Sequence, residues 1–179
     1  MSKQVRWQVP FVSRLGTAYR VDIYDEGYTG TPVQLLGGPS PFTTDEDDSD
    51  DYFAPIRSQT GTLTVCTHDE YGNVLITLDD ILPANNIARP VRLVNTATSA
   101  IEWQGFLSCE AYDQDYTSIP QILQLPVISV LEAMRSVELS SYWVGQNYAL
   151  TISAFLSVIL DDQVYNDLGM QVTAVYSDT

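Results

Sequence analysis

The chain has 179 residues, 45% of them apolar, and its 8 Lys+Arg against 23 Asp+Glu give a net charge of −15. That apolar share excludes a disordered chain and suffices for one core, or for a core with a small second unit. The acidic balance repels phosphate backbones and excludes sequence-general binding to nucleic acid.

Eleven tyrosines against three methionines lean the composition towards strands, where aromatic side chains pack well. Residues 5–12 and 18–24 read as the first two strands. In the second, Tyr19, Val21 and Ile23 alternate with Arg20, Asp22 and Tyr24, the period of two that a half-buried strand needs. Glu26-Gly27-Tyr28-Thr29-Gly30 turns the chain and residues 33–36 form a short return strand. Gly37-Gly38-Pro39-Ser40-Pro41 is expected to break any regular element. Residues 56–67 are extended, with Leu63 and Val65 set against Thr62, Thr64 and Cys66. Tyr71-Gly72-Asn73 supplies a hairpin turn, and 74–78 is the expected return strand. Residues 78–83 can make one helical turn before Pro83 stops it. Residues 89–94 and 101–109 read as a further hairpin, joined by the polar loop 95–99.

Leu123, Leu125 and Val127 alternate as a strand, after which Ser129 and Glu132 form an S-x-x-E capping box. Val130, Leu131, Met134 and Val137 then follow helical spacing to about residue 138. A second helix fits 151–164 and a last strand 171–176. Trp103, Phe106, Leu63 and Val65 are expected to be buried on facing strands. The most apolar segment, 149–160, is twelve residues long, against ~20 for a helix that spans a bilayer. Lys3 and Arg6 are not followed by the apolar stretch of a secretory leader. Neither membrane insertion nor secretion is expected.

Chemistry-bearing constellations are sparse. Cys66 and Cys109 read as two small buried hydrophobes in a reducing cytoplasm. His68 is the only histidine; it shares a strand face with Cys66, but a zinc site needs three or four ligands. No nucleophile elbow accompanies His68, and no glycine cluster opens a helix to cradle phosphate. Neither catalytic residues nor a cofactor site are assigned, and no enzymatic activity is expected. Asp45, Asp47, Asp48, Asp50 and Asp51, with Glu46, put six acids into seven positions. The run lacks the central Gly and terminal Glu of an EF-hand loop. A solvated loop, a calcium site and a docking element for a basic partner are its three readings. Trp103 and Tyr112 are the candidates for sugar-stacking platforms. The alternation Glu102-Trp103-Gln104 assigns Trp103 to the core.

Several segments, taken in order, resemble a family of bacteriophage and prophage tail proteins of the tail-tip or baseplate-hub type. They are Tyr19-Arg20-Val21-Asp22-Ile23-Tyr24-Asp25 with Thr29-Gly30, and the acidic loop leading into Arg57-Ser58-Gln59-Thr60-Gly61. Arg89-Pro90-Val91-Arg92-Leu93 and Trp103-Gln104-Gly105-Phe106 continue the series, and residues 125–139 look like the strand-to-helix passage closing the hub's first domain. The similarity covers roughly residues 19–139 and carries no catalytic residues over. It implies a mainly β (α+β) fold: an antiparallel β-barrel or sandwich-like hub domain over 1–139, with one or two helices towards the C-terminus. Residues 140–179 form a helix–strand segment, read as the start of a second domain of a longer protein. The resemblance further implies a virion structural component made in the bacterial cytoplasm and placed in the tail. Its partners would be other phage tail proteins and copies of itself, in a trimer or ring. The alternative is a carbohydrate-binding or adhesin-type β-sandwich module.

Overall fold

The computed structural model describes residues 3–46, 58–86, 88–109, 113–114 and 121–133. All belong to the first of two units into which the chain divides, Met1–Ser136 and Val137–Thr179. The expected helix over 151–164, the strand over 171–176 and all but the first turn of the helix over 130–138 lie outside the described residues, as does Tyr112.

The fold is mainly β. Strand β1 (Lys3–Val12) turns into β2 (Ala18–Glu26), followed by the two-residue β3 (Val33–Gln34) and the long β4 (Leu36–Glu46). Then come β5 (Gln59–Cys66), the one-turn helix α1 (Leu78–Ile81), β6 (Pro90–Asn95) and β7 (Ile101–Leu107). The short β8 (Asp113–Gln114), β9 (Ile122–Ser129) and α2 (Val130–Ala133) complete the described elements. Eight strands follow one path, β3-β1-β2-β6-β7-β9-β5-β4, with β8 added beside β9. The sheet is mixed and not closed into a barrel, which corrects the expectation of an antiparallel one. Its β1–β3 pair is parallel, Trp7 opposite Val33. The path's two end strands are consecutive in the chain, and between them Leu35 is buried and its N–H donates to the Gln8 carbonyl at 2.8 Å.

Period-two alternation builds the core. Val9, Val21, Ile23, Leu63, Val65, Val91, Leu107, Leu123, Leu125 and Val127 lie on one face and are buried. Ile76 and Ile81, from the segment around α1, join the same cluster. All four residues expected to be buried are so, but two details differ from the expectation. Phe106 falls on the opposite face of β7 from Trp103 and Leu107, outside that cluster. Strands β5 and β7 flank β9 in one sheet instead of facing each other. Gly105 is required here: a Cβ on it would stand 2.1 Å from the Ile128 carbonyl oxygen and 2.5 Å from the Trp103 ring, so the indole lies over bare backbone.

Three further expectations are corrected. Gly37-Gly38-Pro39-Ser40-Pro41 does not end regular structure, since β4 runs through it. Pairing with β5 lapses between Gly37 and Phe42, with Ser40 at φ 51°. Among the described residues β4 pairs on one side alone, so Pro39 and Pro41 cost no ladder bonds there. Residues 74–78 are not a strand: one bridge, His68 to Val74, is all that forms before α1. There Asp80 takes the Thr77 hydroxyl at 2.5 Å and the Thr77 N–H at 3.4 Å, which starts the helix instead. Cys66 is half-buried and Cys109 exposed, so the pair is not two buried hydrophobes. Burial pushes the Cys66 thiol up. The Ser129 cap does form, its hydroxyl accepting from the Glu132 N–H at 3.4 Å and from the Gln59 N–H at 3.1 Å. Among the described residues no helix is long and apolar enough to cross a membrane.

Candidate functional site

The strand register gathers the tips of two hairpins at one end of the core. Val12 pairs with Ala18 at the tip of β1–β2, and Tyr19 pairs with Asn95 at the end of β6. The Thr96 N–H and hydroxyl both donate to the Ala18 carbonyl at 3.0 Å, tying the 13–17 turn to the 96–100 turn. Apolar side chains stand in the open there: Val12 is 66% exposed, Leu15 94% and Ile101 49%. Short turns with such side chains at their tips have nothing of their own to bury against.

Beside these tips the core opens into a cavity of about 380 Å³. Four aromatics line it, Phe11 from β1, Tyr19 from β2, Phe42 from β4 and Trp103 from β7, with Leu93. Phe11 stacks on Tyr19 with centroids 5.7 Å apart, and Phe42 meets Trp103 edge-on at 5.2 Å. The polar part of the lining is Ser13, Thr44, Gln59 and Glu102. Among the described residues, one carboxylate and no cation line the cavity. Trp103 is only 8% exposed, and its indole N–H is buried with no acceptor.

Glu102 reaches the cavity because β7 bulges. Leu93 pairs with Trp103 and Val94 with Ile101, which leaves Glu102 without a partner in the ladder. Strict alternation would send Glu102 to the face opposite Trp103; the extra residue re-aims it to the same side. The reading of clean alternation around Trp103 is corrected accordingly, while its assignment to the core stands. Asn95 Nδ2 lies 3.5 Å from the Glu102 carboxylate at the rim.

The sequence-derived candidates fall elsewhere or out of view. Asp45 is exposed near the end of β4, opposite Thr60, and Glu46 pairs with Gln59. The acidic run thus begins as strand and not as loop. Asp47, Asp48, Asp50 and Asp51 lie outside the described residues, as does Arg57. No group of three or more His, Cys, Asp or Glu is placed to hold a metal among the described residues. The His68 ring nitrogen Nδ1 is bonded to the neighbouring Thr67 hydroxyl at 2.7 Å. Sequence reasoning missed Phe11, Tyr19 and Phe42. For Phe11 and Tyr19 the signal was an aromatic next to a strand end beside a polar turn; Phe42, inside β4, carried no such mark. Comparison with family models, with curated proteins and with solved structures finds no match to this chain.

Proposed function

We propose that this chain is a structural, non-enzymatic component of a phage tail tip or baseplate hub, acting by protein–protein assembly as a β-rich hub domain. The ordered motifs of residues 19–139 support the family reading, and the mainly β sheet is compatible with it. The observation that carries the assembly role is the apolar hairpin end: Val12, Leu15 and Ile101 are exposed together on turns that the register holds side by side. In the particle, copies of the chain form a trimer or ring in the tail and contact other tail proteins; synthesis is in the bacterial cytoplasm.

Such side chains become the anchors of an interface when a neighbour excludes water from them. The net charge of −15 per chain opposes self-association, so salt should favour it by screening like charges. Sedimentation velocity on the full chain, at ~10–100 μM where micromolar interfaces populate, is the test. A trimer or larger ring that strengthens with salt, and that Leu15→Asp and Ile101→Asp shift towards monomer, is the expected result. A chain that stays monomeric at every concentration and salt level overturns the homo-oligomeric reading.

A further inference from the structure

The two turns at the hairpin end are firmly built, yet the side chains at their tips go unused. In the 13–17 turn the Ser13 N–H donates to the Thr17 carbonyl at 2.8 Å and the Gly16 N–H to the Ser13 carbonyl at 2.9 Å. The Thr17 N–H donates to the Ser13 hydroxyl at 3.1 Å, and Gly16 supplies the φ of 85° that closes the turn. In the 96–100 turn the Asn95 side-chain oxygen accepts from the Ala97 and Thr98 N–H groups at 3.1 and 3.4 Å. Side chains carried on such frames bring less disorder to be lost when a partner arrives, which favours binding.

Arg14 stands at the first of these tips, exposed beside Leu15. Among the described residues it is the one Lys or Arg with no polar or ring contact inside the chain. Arg6 and Arg89 share Asp25, Arg20 holds Asp22, Arg92 meets Tyr24, and Lys3 also has a partner. A chain with 23 acids and 8 cations thus leaves this guanidinium free, and does so at its exposed apolar end. Glu102 is the counterpart. The β7 bulge leaves it without a ladder partner, it is exposed beside Ile101, and its polar contact among the described residues is Asn95 Nδ2 at 3.5 Å. The two charges are not paired with each other within the described residues.

One cation and one acid beside the same apolar side chains make this end complementary to itself. In any closed symmetry the Arg14 of each copy can meet the Glu102 of the next, so that n copies close n pairs. We propose that copies of this chain meet through the hairpin end with Arg14 of one paired to Glu102 of its neighbour, the pair setting orientation around Val12, Leu15 and Ile101. This pairing rests on the self-assembly reading and adds the contact by which the copies recognise each other. A free cation at the meeting point also lowers the like-charge repulsion that a net charge of −15 imposes. A pair shielded inside an interface is screened less than the repulsion between whole chains, so salt still strengthens the assembly.

Sedimentation velocity compares the full chain with Arg14→Glu, Glu102→Arg and the double variant, with urea midpoints as the check on folding. Each single reversal should weaken self-association about tenfold, or ~1.4 kcal/mol. The double variant should recover most of that loss, the signature of a direct pair. Glu102→Arg is the sharper single change, because it reduces the acidity of the chain and by bulk charge alone would tighten association. The double variant keeps the net charge of −15, so its recovery has no bulk origin either. Asp45, exposed near the end of β4, is the control acid, and Asp45→Arg with Arg14→Glu should recover nothing. If a reversal lowers the urea midpoint, Arg14→Gln and Glu102→Gln replace it, and their effects on association should be non-additive. Suppose the wild type associates and Leu15→Asp does not, but the reversals fail to compensate or Asp45→Arg compensates as well as Glu102→Arg. The pair is then wrong and the assembly reading stands. A wild type that stays monomeric removes both.

Discussion

Trp7 and Trp103 are each preceded by a charged residue that the strand register skips, Arg6 in β1 and Glu102 in β7. At Trp7 the skipped residue is used within the chain. The Arg6 guanidinium lies 4.3 Å from the ring centroid and that of Arg89 4.8 Å, and Arg6 also reaches Asp25 at 2.5 Å. Arg89 stands 3.5 Å from the same carboxylate and donates to the Asp80 carbonyl of α1. Burial holds the Arg89 guanidinium below its ordinary value, an effect that the Asp25 charge opposes. At Trp103 the skipped residue is an acid, the ring's neighbour is Phe42, and the indole N–H is left without an acceptor. One bulge closes an end of the core with the chain's own charges, and the other leaves an exposed carboxylate beside a buried indole N–H that has no acceptor. A bulge is therefore a neutral device, and the charge of the residue it frees decides what that residue can pair with.

The largest test of this contrast is truncation of each ring. Trp7→Ala and Trp103→Ala should both destabilise by ~3–5 kcal/mol as buried aromatics. Trp7→Ala should cost more, because Arg6 and Arg89 lose a cation–π partner worth ~0.5–1 kcal/mol or more each. Urea unfolding, read as a shift of midpoint at constant slope, measures both. A costlier Trp103→Ala would mean that the cavity end, and not the arginine-clamped end, holds the core together.

What the sequence could disclose follows from the same contrast. Alternation located the β1–β2 and β6–β7 hairpins and β9, because period two survives wherever one face is buried. It also marked Leu63, Val65 and Trp103 as core. A bulge adds one residue without any compositional sign, so the fates of Arg6 and Glu102 could not be read from spacing. The same holds for β4, where Gly37-Gly38-Pro39-Ser40-Pro41 looked like a break. Whether Pro39 and Pro41 are tolerated depends on β4 pairing on one side alone among the described strands, which is a property of the sheet and not of the segment. The expected helical turn over 78–83 forms as α1, and the T-x-x-D pair at Thr77 and Asp80 that starts it displaces the expected return strand over 74–78. The cavity was the least legible feature, since Phe11, Tyr19, Phe42 and Trp103 come from four strands that only the folded order brings together.

A smaller test removes the skipped residues themselves. Arg6→Ala should cost about 1 kcal/mol, since it takes away a partly buried ion pair and a ring contact together. Glu102→Ala should stay within about 0.5 kcal/mol of wild type, as an exposed side chain with no strong intramolecular partner does. A double-mutant cycle on Arg6 and Asp25 isolates the pair's share of the first figure. Equal costs for Arg6→Ala and Glu102→Ala would erase the distinction between a bulge that stabilises and one that does not.

The smallest effect concerns protonation at the Trp7 end. Asp80 is held below the usual carboxylate range, chiefly by the Thr77 hydroxyl and to a lesser degree by the Thr77 N–H and the charges of Arg6 and Arg89. A depressed folded value means that the stabilisation is fully present above the unfolded carboxylate value of about 3.9. It is lost as pH falls through the folded value. Carboxyl carbon shifts followed by NMR through acid should place Asp80 below that reference. Thr77→Val should move it up most, because that change removes the leading cause. Arg6→Ala should move it up less, through a screened charge at a largely solvated group. Glu102→Gln should leave it in place, because that carboxylate belongs to the cavity end. An upward shift in Arg6→Ala larger than in Thr77→Val would show that the paired arginines, and not the local cap, control the charge on α1. The Trp7 end would then be a single electrostatic unit whose acid sensitivity runs through both guanidiniums.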